Sequence, residues 1–178
     1  MGDYMKQPII CILGDRGDGK TLVMTALGYL YNKADKMKIY ANYHLIGIPY
    51  SYTTFDELAS FPEDMKNAIV LMDEAHIGAD AYEVFKTSVK NITTFTTQLR
   101  KRNITLLWST QRFNQVAKRL RQLTNYILEV SKTNIEGVIN CRVFDRAQPE
   151  YDQFINEFII DGRQFYKMYD TNEIIDPS

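Results

Sequence analysis

No stretch of the chain reaches the roughly 18 uncharged apolar residues that a membrane-spanning helix requires, so no transmembrane segment is expected. The start, MGDYMKQPIICILG, sets an acid and a proline around a short apolar stretch and does not read as a signal peptide, which points to the cell interior. Cysteine is scarce. Cys11 and Cys141 are the only two, each inside an apolar strand-like run and without metal-ligand spacing, so buried free thiols are expected and neither a disulfide nor a zinc site. Repeats, long linkers and low-complexity segments are also absent. At 178 residues, 45% hydrophobic and 24% charged, the chain reads as one compact domain and not as a disordered or fibrous protein.

Acid is missing from one long segment. Between Val84 and Leu128 there is no Asp or Glu, while Lys86, Lys90, Arg100, Lys101, Arg102, Arg112, Lys118, Arg119 and Arg121 supply 9 of the 21 basic residues. The other 12 face all 22 acidic residues, so a strongly cationic segment sits inside a chain of net charge -1. That asymmetry fits a surface that meets a polyanion, and by itself it fits solvated helix faces equally well.

What is present alternates between strand and helix. Pro8 to Leu13 is short, apolar and β-branched, ends in a glycine-rich loop, and is followed by Leu22, Val23, Ala26, Leu27 and Leu30 at helical spacing. Lys38 to Leu45 alternates as a strand, and Thr54 to Glu57 reads as a capping box that opens a short helix closed by Pro62. The runs Ala68 to Met72 and Ile104 to Trp108 are continuously apolar, as strands buried on both faces must be. Ile92, Phe95 and Leu99 mark a helix, Phe113, Val116 and Leu120 another, and Tyr126 to Val130 a further strand. Beyond it, Val138 to Phe144 alternates as a strand, Phe154 to Phe158 fits a short helix, and Asp161-Gly162 is a hairpin-turn dipeptide. The pattern predicts an α/β fold with a mainly parallel central sheet between helices, a core over roughly 7–131 and a β-rich extension over roughly 132–178.

The segment Gly14-Asp15-Arg16-Gly17-Asp18-Gly19-Lys20-Thr21 matches the phosphate-loop pattern GxxxxGK[ST] in full, with strand before and helix after, and these residues together with Leu22 are expected to bind the nucleotide. Its glycines let the backbone approach phosphates with N–H groups turned inward, Lys20 is expected at the β- and γ-phosphates of ATP, and the Thr21 hydroxyl on Mg²⁺. Asp15 and Asp18 bring like charge to a triphosphate and call for an offset such as Arg16 or a neighbouring subunit's cations. Asp73-Glu74 closes a buried strand, where Asp73 suits Mg²⁺ through its water shell and Glu74 suits a general base for the attacking water. Asp73 to His76 also spells a helicase box, but the chain is too short for a second motor domain and His76 is given no role. Ser109-Thr110-Gln111 ends a third apolar strand, where Gln111 can sense the γ-phosphate or orient water. Arg112, Arg119 and Arg121 are candidates for a cation lent to a neighbouring subunit's site.

In this order the motifs resemble the FtsK/HerA superfamily, and the compact size is most similar to the genome-packaging ATPases of membrane-containing and archaeal viruses. The resemblance covers most of Pro8 to Val130, and the tail YDTNEII from Tyr169 to Ile175 is reminiscent of the same proteins. It implies a RecA-like core, a ring, in the typical case a hexamer, sequence-independent translocation of double-stranded DNA, and a capsid or membrane-vertex partner, inside the host cell or with the virion. Gln111 matches the glutamine after the sensor strand. Lys86, Lys90, Arg100, Lys101 and Arg102 are then the expected DNA contacts, since a motor grips phosphates without reading sequence. Phage assembly proteins of the zonula-occludens-toxin type share similar motifs but usually carry a membrane segment. A small P-loop kinase is the alternative from another enzyme class, although no lid-like insert is visible, and an ATP-controlled assembly or switch protein is a third reading.

Overall fold

The computed structural model describes residues 8–74, 92–146 and 153–170. Lys86, Lys90 and His76 lie outside them. Eight strands form one sheet: β1 (Ile9–Leu13), β2 (Lys38–Ala41), β3 (Ser51–Tyr52), β4 (Ala68–Met72), β5 (Ile104–Thr110), β6 (Tyr126–Lys132), β7 (Val138–Asp145) and β8 (Gln153–Asp161). Their spatial order is β3-β2-β4-β5-β1-β6-β7-β8. The first six in that order run parallel, and β7 and β8 are added antiparallel to one side. The helices among the described residues are α1 (Lys20–Asp35), α2 (Phe55–Ser60), α3 (Ile92–Lys101) and α4 (Lys118–Leu123).

The parallel strands read as unbroken apolar runs because both of their faces are covered. Along β4, Ile69 and Leu71 face Val23, Met24 and Ala26 of α1, while Ala68, Val70 and Met72 face Phe95 and Leu99 of α3. Trp108 and Leu107 divide β5 in the same way. Both cysteines are buried and free. Burial pushes the Cys11 thiol well above its ordinary value, with Arg146 opposing the shift slightly, and pushes Cys141 to about 12, so both stay protonated at neutral pH.

Four local expectations change. β2 stops at Ala41, because Asn42 and Tyr43 turn their side chains to other work at the strand tip. The helix expected over Phe113 to Leu120 is a single 3₁₀ turn, Phe113–Gln115, followed by α4. Phe113 stacks on Trp108 with ring centroids 5.8 Å apart and carries the Arg146 guanidinium 4.5 Å from its centroid, which pins the chain before it can continue as helix. Phe154 to Phe158 is part of strand β8, since partners along β7 from Val138 to Asp145 satisfy its backbone. Asp161-Gly162 opens a 3₁₀ turn, Gly162–Phe165, and not a hairpin: the Asp161 carboxylate accepts from the Arg163 N–H, and the Gly162 N–H donates to the Gly137 carbonyl. The capping box at Thr54 forms as read, with the Thr54 hydroxyl accepting from the Glu57 N–H at 3.3 Å and Glu57 answering at the Thr54 N–H.

Parallel strands place their carboxyl ends on one edge of the sheet. β5 lies between β1 and β4, so three strand ends stand side by side there: the phosphate loop after β1, Ser109-Thr110-Gln111 at β5, and Asp73-Glu74 after β4.

Candidate functional site

The loop from Gly14 to Gly19 leads into α1, which starts on Gly19 in the left-handed region (φ 89°) with no side-chain cap and no acid in its first turn. The helix N–H groups are thereby left for an external anion. Gly17 is also left-handed (φ 84°). Gly14 is required for a different reason: a Cβ there would stand 2.8 Å from the Val130 carbonyl oxygen of β6. Lys20 is buried, and its ammonium donates to the Asp15 carbonyl at 3.0 Å, folding the side chain back along the loop.

The two loop carboxylates are unlike each other. Asp18 Oδ2 accepts the Asp15 N–H at 3.0 Å, and the Asp18 N–H donates to the Asp15 carbonyl at 3.2 Å, so Asp18 braces the loop's own turn. Asp15 contributes through its backbone. A cation that sequence reading missed stands beside the loop: Lys132 at the end of β6 brings its Nζ within 3.3 Å of where a Gly17 side chain would begin.

Asp73 is buried at the centre of the site. Its Oδ2 accepts from the Thr21 hydroxyl at 2.5 Å, and its Oδ1 accepts a short hydrogen bond from the Ser109 hydroxyl. Thr21 and, one turn on, Thr25 share a face of α1. Thr25 meets the Tyr43 hydroxyl at 2.9 Å, so this helix face is fastened to the tips of both β4 and β2. Glu74 holds a left-handed backbone (φ 54°), a conformation that costs a non-glycine residue roughly 1–3 kcal/mol. Its N–H is fixed by Asp73 Oδ1 and Ser109 Oγ, both at 3.0 Å. Thr110 is buried and accepts the Arg112 N–H at 3.2 Å, which turns the chain after β5. Gln111 and Arg112 then line a cavity of about 690 Å³ together with Gly14, Asp15, Asp18 and Glu129.

The donor set fits a magnesium nucleotide. A buried lysine, an uncapped helix start, and a threonine hydroxyl paired with a buried carboxylate stand together, and no cluster of three or more metal-binding His, Cys, Asp or Glu residues competes with them among the described residues. Burial and the nearby Asp73 charge push Tyr169 up to about 12, so the C-terminal segment presents a neutral phenol near the site.

The arginine candidates are dispersed. Arg112 is exposed and Arg119 partly so, while Arg121 donates its Nε to the Val116 carbonyl at 3.0 Å and its own carbonyl accepts from Arg146. Arg100 and Lys101 are exposed at the end of α3, on the sheet edge opposite the phosphate loop. Arg102 donates to the Pro62 carbonyl at 2.7 Å and lies over the Phe61 ring, a role in holding the α2 end.

A family model described as zonular occludens toxin (Zot) matches residues 18–172. The chain belongs to the Zot family. No curated protein matches it. The crystal structure of the N-terminal domain of zonular occludens toxin from Neisseria meningitidis is similar at a TM-score of 0.57 and 17% identity, over 93% of this chain and 100% of that one. The genome packaging NTPase of Sulfolobus turreted icosahedral virus 2, in complex with ATP-gammaS, is similar at 0.50 and 11%, over 85% and 98%. A KaiC-like protein from Pyrococcus horikoshii OT3 is similar at 0.52 and 13%, over 86% and 85%. The Zot-family chain therefore has a RecA-like P-loop NTPase fold shared with viral packaging ATPases. Among its described residues no helix is long and apolar enough to cross a membrane.

Proposed function

We propose that the chain is an ATP-hydrolysing motor that moves DNA during virus assembly. The observation that carries this reading is the network Thr21–Asp73–Ser109–Glu74, which unites three strand ends around one buried carboxylate. In it, Lys20 and the α1 start bind the phosphates, and Thr21 with Asp73 would hold Mg²⁺, which would supply charge neutralisation at the phosphoryl oxygens. Glu74 accepts the proton of the attacking water as its oxygen bonds to the γ-phosphorus and the bond to the bridging oxygen breaks, releasing ADP. Gln111 orients that water. A neighbouring copy in a ring, in the typical case a hexamer, lends a cation, with Arg119 and Arg121 as donors.

DNA contact rests on the acid-free segment. Arg100 and Lys101 are exposed cations of it, alongside Arg112 and Lys118, with Lys86, Lys90 and Arg102 as the other contacts, and packaging of double-stranded DNA into a preformed capsid is the expected task. Because the motifs also resemble those of phage assembly proteins of the zonula-occludens-toxin type, the Zot family match supports a second reading, an ATP-controlled assembly protein that binds ATP and hydrolyses it slowly without moving DNA. ATP turnover with and without DNA, double- and single-stranded, separates the two. The motor should be stimulated by DNA, and the stimulation should fall steeply between about 50 and 200 mM salt. Glu74→Gln should bind ATP and lose hydrolysis. Turnover indifferent to DNA and salt would overturn the motor and leave the assembly reading.

A further inference from the structure

Asn42 stands at the tip of β2, where the ladder between β2 and β4 ends at the pair Ala41 and Leu71. Its backbone N–H still donates to the Leu71 carbonyl at 3.1 Å, but the next rung is made by its side chain. The carboxamide Oδ1 accepts the Asp73 N–H at 2.7 Å, and Nδ2 donates to the Asp73 carbonyl at 3.0 Å. Both backbone groups of Asp73 are thus held by one buried side chain, immediately before Glu74 enters its left-handed conformation.

We propose that Asn42 is the positioning residue that sets the Asp73–Glu74 backbone and so aims the Glu74 carboxylate, an inference that rests on reading Glu74 as the base. A carboxamide suits the place because it donates and accepts at once. Aspartate would turn an acceptor toward the Asp73 carbonyl, and leucine would fill the volume with neither function. The tip that carries Asn42 is itself anchored: Tyr43 meets Thr25 of α1, and Leu45 bridges to Tyr169, with the Ile46 N–H donating to the Met168 carbonyl. Asn42 therefore refers the position of Asp73 to α1 and to the C-terminal segment.

The test compares Asn42→Leu and Asn42→Asp with the unaltered chain and with Glu74→Gln. It reads kcat and KM for ATP, equilibrium ATP binding, and residue-resolved amide exchange of Asp73 and Glu74 in the nucleotide-free protein. Both Asn42 variants should lose roughly 10- to 100-fold in kcat, the scale of a misplaced catalytic group, with ATP affinity within about threefold. Exchange at Asp73 should accelerate in Asn42→Leu, which keeps no acceptor for the Asp73 N–H, while Ile69 and Val70 stay protected. Should Asn42→Leu fail to fold, Asn42→Ala carries the same readouts. Unaltered Asp73 exchange in folded Asn42→Leu or Asn42→Ala, or full kcat in any folded Asn42 variant, would overturn the proposal. Full hydrolysis by Glu74→Gln would instead overturn the assignment of the base, and amide exchange would still decide whether Asn42 holds this backbone.

Discussion

Gly14 has the tightest fit in the phosphate loop to something that cannot yield, since the atom a side chain would strike is a backbone carbonyl of β6. Gly19 is different: its Cβ would meet the far end of Ile139, a side chain able to move, but its left-handed backbone disfavours any other residue. Gly14→Ala should therefore push the loop off β6, costing about 1–3 kcal/mol on the scale of overpacking a filled site, and should weaken ATP binding as well. Urea midpoints and nucleotide titration measure both, and unchanged values would mean that β6 yields. Lys20, Thr21, Asp73 and Glu74 were legible because each belongs to a run of residue types that phosphate chemistry demands. Asn42 and Lys132 were not, because their use depends on which strand ends up beside which, and a polar residue at a strand end has no periodic signature. Asp18 was legible as a charge but not as a brace, since its partner is a backbone N–H.

At the scale of elements, β1, β4 and β5 could be read directly because strands covered on both faces are continuous apolar runs. β8 could not. Its Phe154, Ile155, Phe158, Ile159 and Ile160 satisfy a helical spacing as readily as a strand, and only pairing with β7 decides between them. The break at Phe113 was hidden for a related reason, because the stack on Trp108 is a contact between elements. Helix α2 shows the opposite case, a six-residue element whose start is fixed by its own sequence. Thr54→Ala should remove that capping box and cost about 1 kcal/mol, visible in thermal or urea unfolding. ATP turnover should be unaltered, because Thr54 belongs to neither the phosphate loop nor the Asp73 network.

For the whole molecule, nucleotide and fold should stabilise one another, since the site is assembled from α1, β1, β4 and β5 and exists only when they are packed. Magnesium ATP at about 100 times its Kd should add about 2.7 kcal/mol. For a chain of this size that raises Tm by roughly 5–10 °C. Lys20→Ala should abolish the rise in a thermal-shift measurement, and a rise that survives this substitution would place the nucleotide elsewhere. The P-loop ATPase fold and the parallel core were legible from motif order, whereas the contacts of β6 and β7 with the loop, through Val130, Lys132 and Ile139, were not. These three residues make β6 and β7 a wall beside the loop. A loop this close to the Val130 carbonyl has no slack on that side, so where the sheet holds β6 sets where the phosphate grip can sit.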